Sequence, residues 1–181
     1  HRVLELLYCE HCGTVFLGGG KLRTSAGEIE LLATSPEIEG IPERQAARFV
    51  DRRTYHEFGI FWPQGNQEYD RPNRWRQPKF GERGGGQNAW ANWREASLNT
   101  HTGHVRLTHE SAQRQPDRWV QGYFFHVETS EDQEDEYRAL PCICPSCSTD
   151  YGPRQNRKSP VRGFRTGFSK VSQIFTKELF Y

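Results

Sequence analysis

Residues 8–16 read YCEHCGTVF, and residues 141–152 read PCICPSCSTDYG. Each stretch holds two cysteines separated by two residues, Cys9 with Cys12 and Cys144 with Cys147, and most of the chain lies between the pairs. That gap lets both sulfurs of a pair converge on one ion while the intervening amides point at them. Two such pairs supply the four thiolates of a structural tetrahedral zinc site. Gly13, directly after Cys12, offers the unusual backbone angle such a knuckle needs. One pair alone would suit redox chemistry; two pairs, each beside a strand-like segment, favour a metal. The long separation is no obstacle. Loop closure costs only about 0.6 kcal/mol more per doubling of length, whereas a structural zinc supplies on the order of 10 kcal/mol. The reading is therefore one Zn2+ clasping the two ends, with the middle held closed as an insertion. Cys142 is the spare: it either replaces Cys144 as ligand or stays an ordinary buried thiol, and the equivalence of the pairs selects Cys144. Four sulfurs leave no open coordination position, so the ion is expected to be structural.

An odd cysteine count without a leader-like segment argues against a secreted disulfide framework. No apolar run reaches the ~18 residues of a membrane span, and the expected compartment is the cytoplasm, with no membrane partner. A length of 181 residues suits a single domain, 1–181. The chain is polar, with 34% apolar residues and a mean hydropathy of -0.87, yet 13% of it is aromatic. Rings bury large areas, so a core can still close and the chain reads as folded. It contains no methionine, as expected of a fragment, a processed chain or a domain of a larger protein.

Hydrophobic patterning predicts strands on both sides of the first cysteine pair, in GEIELLATS (27–35), in YHEFGIFWP (55–63) and in RWVQGYFFHVE (118–128). WREASLNTHTGHVRLTHE (93–110) reads as a hairpin turning at Thr102–Gly103. IPERQAARFV (41–50) is helix-compatible. Residues 64–87, rich in Gly, Pro, Asn and Arg, read as a long mobile loop, and 128–136 as a solvated acidic loop. Phe164, Phe168, Val171, Phe175 and Leu179 recur on one face of a C-terminal amphipathic helix. The fold class predicted is α+β: a β-rich antiparallel domain clasped by four cysteines, with that helix at its end.

Two basic regions suit phosphate. Arg154, Arg157, Lys158, Arg162 and Arg165 follow the second cysteine pair, and in the 64–87 loop Arg74 and Arg76 flank Trp75, a candidate stacking platform. No phosphate loop, DEAD or DExH pair, GxSxG elbow or HExxH helix occurs in the sequence. His101, His104 and His109, with Asn99, admit an HNH-like nuclease as a lesser reading.

LLYCEHCGTVFLGG near the start, EASLNTHTGHV in the middle and CPSC followed by SPVRGFRTGFSKVSQIFTKELFY together resemble the zinc-binding C-terminal region of large bacterial superfamily-two helicases. These are the DEAD/DEAH-type enzymes of phage-defence islands such as DISARM, with relatives in DNA repair. The resemblance implies a four-cysteine zinc module attached to ATP-driven motor domains, in the same chain or a partner subunit. It carries over Cys9, Cys12, Cys144 and Cys147 as ligands, and Arg162 and Arg165 as positions of the matching stretch only. The expected function is thus an accessory module that contacts single-stranded or duplex DNA or docks on the motor. The alternative is a protein-interaction scaffold using Phe168, Val171 and Phe175.

Overall fold

The computed structural model describes residues 3–33, 53–64, 74–80, 88–152 and 159–163. Nine strands form one antiparallel sheet: β1 (Glu5–Cys9), β2 (Val15–Arg23), β3 (Ile29–Leu32), β4 (Phe58–Pro63), β5 (Trp75–Gln77), β6 (Ala89–Asn99), β7 (His104–Arg106), β8 (Trp119–Val127) and β9 (Val161–Gly163). Two strands are long enough to change partners. Along one edge β2 pairs first with β1 and then with β3; β6 likewise pairs first with β5 and then with β7. Because β3 also pairs with β7, the ring β2–β3–β7–β6–β8–β4 closes into a small barrel. Strands β1, β5 and β9 extend the sheet beyond it.

Side chains alternate across a strand, so the sheet carries two cores. Leu31, Phe61, Ala96, Leu98, Val105 and Phe124 fill the barrel. The opposite face is aromatic. Trp93 sits 5.7 Å from Phe16, 5.8 Å from Trp62 and 5.6 Å from Phe125, and the segment Tyr137–Cys144 covers this layer. That accounts for a core built with few aliphatics. The barrel is narrow enough to demand glycine: a Cβ on Gly122 would lie 2.2 Å from the Trp62 carbonyl oxygen.

The predicted strands and the hairpin are present, with the turn at residues 100–103 tied by Gly103 N–H donating to Asn99 O at 2.9 Å. Helix α1 (Glu110–Arg114) was not anticipated. Of the expected 64–87 loop only residues 64 and 74–80 are described, the rest lying outside the described residues, and the described parts of both expected loops carry more structure than solvated chain. Residues 75–77 of the supposed mobile loop form β5, because Trp75 and Gln77 find buried partners on β6 and in the cover. The acidic stretch is not simply solvated. Residues 131–136 form a 3-10 helix whose acids meet basic side chains: Glu131 and Glu134 pair with Arg23, Glu134 also lies beside His56, and Glu136 pairs with Lys79; just before the helix, Glu128 pairs with Arg74. The helices expected at 41–50 and at the C-terminus lie outside the described residues.

Candidate metal centre

The first cysteine pair is the turn between β1 and β2; the second is a turn in the cover. They are built alike. In the first, Gly13 N–H donates to Cys9 O and Cys9 N–H to Thr14 O, both at 2.9 Å. In the second, Ser148 N–H donates to Cys144 O at 2.9 Å and Cys144 N–H to Thr149 O at 3.0 Å. Each turn passes through the left-handed region directly after its second cysteine, at Gly13 (φ 74°) and Ser148 (φ 60°). Each also ends on a threonine whose hydroxyl lies 3.1 Å from that cysteine's sulfur, Thr14 beside Cys12 and Thr149 beside Cys147. A hydroxyl so placed donates to a thiolate and favours the charged ligand.

Facing one another, the turns bring Cys9 Sγ to 3.8 Å from Cys147 Sγ, and Cys12 Sγ to 3.7 Å from Cys144 Sγ. All four sulfurs lie within 4.8 Å of each other. The distances are far too long for disulfides. A tetrahedron with metal–sulfur bonds of about 2.3 Å has edges of about 3.8 Å, so the donor set fits one four-coordinate ion. Cys9 and Cys144 are buried, Cys147 is half-buried and Cys12 is exposed. Burial pushes the Cys9 and Cys144 thiols up. Burial also acts upward on Cys12, but bonds from the Thr14 hydroxyl and amide outweigh it and bring that thiol down to about 6.

A polar bracket spans the two turns. Arg162 on β9 pairs with Glu10 at 3.2 Å, Tyr151 donates to the same carboxylate, and the His11 and Tyr151 rings meet edge-on at 5.5 Å. Glu10 N–H donates to Pro160 O at 2.9 Å, which closes the link from β9.

Cys142 does not replace Cys144. It is buried away from the cluster, its Sγ 3.8 Å from Arg76 O, and burial pushes its thiol up to about 12. Its amide donates to the buried Gln77 side chain, which in turn donates to Leu140 O at 2.9 Å. Sequence reasoning missed Gln77, Thr14 and Thr149. The threonines had a visible signal in the matched stretches CEHCGT and CPSCST.

The expected nucleic-acid residues divide. Arg154, Arg157, Lys158 and Arg165 lie outside the described residues. Arg162 is engaged by Glu10 and serves the bracket. Trp75 turns inward, stacked on Phe125 at 5.9 Å with its Nε1 donating to Gln77, so its ring packs on the core instead of standing out as the platform expected of it. Arg74 and Arg76 are exposed and rest on the Trp90 ring, at 4.6 and 4.0 Å from its centre. The histidines do not gather into a metal-ligand group among the described residues. His109 Nε2 lies 2.8 Å from the Gly122 carbonyl oxygen, and His104 stands 3.8 Å from Glu30.

A family model described as the YjiV N-terminal domain matches residues 1–165. The chain belongs to the YjiV N-terminal domain family. The match covers both cysteine turns and the barrel between them. Comparisons with curated proteins and with solved structures return no match. No helix among the described residues is long and apolar enough to cross a membrane.

Proposed function

We propose that the chain is a Zn2+-clasped accessory module of a cytoplasmic ATP-dependent DNA helicase or translocase, contacting nucleic acid or docking on the motor domains. The observation that carries the architectural half is the four-sulfur cluster. A tetrathiolate site is coordinatively closed, so its ion holds structure and activates no water, and zinc is the common ion for that donor set. The motor link rests on the sequence resemblance to superfamily-two helicases of phage defence and DNA repair. That resemblance is to a C-terminal region, which places the motor before the module in the chain, whereas the family is described as an N-terminal domain. Exposed Arg74 and Arg76 on Trp90 support contact with nucleic acid.

Three measurements test the reading. Elemental analysis should return one zinc per chain. The complete protein should carry a GxxxxGK[ST] phosphate loop and a DExH-type pair outside residues 1–181, upstream of His1 as the resemblance implies; their absence removes the motor. DNA affinity should fall steeply as salt rises. No binding to either single-stranded or duplex DNA would leave docking on the motor as the module's task.

A further inference from the structure

We infer that the face of β5 and β6 that continues the barrel interior past its rim is a binding surface for single-stranded nucleic acid, with Trp90 and its arginines as the stacking platform. The inference deepens the nucleic-acid reading above and rests on it.

The register sets this face. Ala91 and Trp93 point into the aromatic core, so Trp90, Asn92 and Arg94 point to the other side. On β5, Trp75 points to the core, so Arg74 and Arg76 share the side of Trp90, with Arg76 directly across from it. Farther along β6 the same side becomes barrel interior at Ala96 and Leu98. The platform therefore lies at the barrel mouth.

Its chemistry is one-signed. Among the described residues of this face, three arginines, Arg74, Arg76 and Arg94, stand against one carboxylate, Glu128, which pairs with Arg74 at 2.7 Å. Arg94 is exposed, and its side chain makes no hydrogen bond or ion pair among the described residues. Guanidinium planes lying on an indole enlarge the flat surface on which bases stack, and phosphates of the same strand take the remaining N–H donors. Asn92, between Trp90 and Arg94, keeps its side-chain oxygen buried, so recognition on this face falls to stacking and phosphate contacts. Duplex hides the base faces, which is why the surface selects single strands.

The test uses fluorescence anisotropy of a labelled oligo(dT) of about 16 nucleotides, with a duplex of equal length and oligo(rU) as further arms. The wild-type chain should bind the single strands more tightly than the duplex. Trp90→Ala should weaken binding about tenfold. Arg94→Ala should weaken it too and reduce the salt slope by about 0.7. Because Arg94 holds nothing else, its variant should keep the wild-type Tm, so any loss there is not a folding defect. Arg114→Ala, an exposed base on α1 paired with Glu110, should bind as wild type. Three results overturn the inference: no binding to any single strand, a preference for duplex, or binding that survives in both Trp90→Ala and Arg94→Ala. The last would leave the nucleic-acid reading standing and move the contact elsewhere.

Discussion

The barrel and the cysteine clasp are parts of one sheet-bound structure, yet different forces hold them. In the barrel every strand has a hydrogen-bonded neighbour on each side, and a one-residue slip would carry Phe61, Leu98 and Phe124 out of the core. The cover that holds the second cysteine turn has almost no ladder. It touches the sheet system through single bridges at Thr54–Arg138 and Lys79–Tyr137, and through side chains such as Gln77 and Ser159. What it lacks in backbone pairing the sulfurs replace. The barrel's order resides in its ladder, and in the proposed reading the clasp's resides in the ion its four sulfurs would hold.

Removing the ion is accordingly the harshest way to test the contrast. A structural tetrathiolate zinc contributes on the order of 10 kcal/mol of apparent binding energy. Chelation under reducing conditions, or Cys144→Ser, should expose the amides of Cys144, Ser148 and Tyr151 to hydrogen exchange, because their bonds all lie within the second turn. Amides of β6 and β8 should keep their protection. Equal loss in both regions would show one cooperative unit and end the distinction.

Gly122→Ala attacks the other side. The added methyl would meet the Trp62 carbonyl oxygen at 2.2 Å and the Phe61 ring at 2.7 Å. Backbone cannot yield as a flexible side chain can, so the cost is about 3 kcal/mol or more, a Tm loss of roughly 10 °C for a chain of this size. Zinc content should stay near one per chain. Metal loss in this variant would mean that barrel and clasp fold together.

The sequence made the clasp more legible than the barrel. Cysteine spacing is a local signal, and it named the four sulfurs and the conformation of Gly13. Alternation likewise found most strands. Closure was not legible, because it depends on β3 meeting β7, and nothing local in IELL or HVR names its partner. The loops were misjudged for a related reason. Arg74, Lys79 and the 128–136 acids each look like solvated charge when taken alone, and only the fold brings them together. Trp75 and Trp90 are similar tryptophans in polar surroundings, and strand parity decides which turns inward.

A smaller effect separates the regions by pH. Lys21 on β2 lies near the barrel mouth, its Nζ 3.4 Å from the centre of the Tyr55 ring. Burial brings its amine from 10.5 down to about 7, only partly opposed by Glu134. Below about 7 both folded and unfolded chains carry the proton, and the folded state bears the full desolvation cost. Between about 7 and 10.5 the unfolded chain alone is protonated, so stability should climb by up to a few kcal/mol across that window and then level off. Denaturant titrations at several pH values check this. Lys21→Met should flatten the rise, while the metal content should not change between the two chains.

The finest test lies inside the clasp, where the two turns differ at their left-handed residue. Both need a left-handed residue after the second cysteine, but one uses Gly13 and the other Ser148. A residue with a Cβ holds that conformation at a cost of about 1 kcal/mol, so the second turn carries a strain the first avoids. Gly13→Ala should destabilise the chain by about 1 kcal/mol, and no steric clash complicates the substitution, since nothing lies within 4 Å of the new methyl. Ser148→Gly relieves the strain but gives the unfolded chain more freedom, so its net gain should be smaller. If the ion enforces both turns equally, the opposite signs should appear in the metal-bound protein and shrink after chelation. Equal signs would mean that Ser148 is held by its surroundings in the cover and not by the geometry it shares with Gly13.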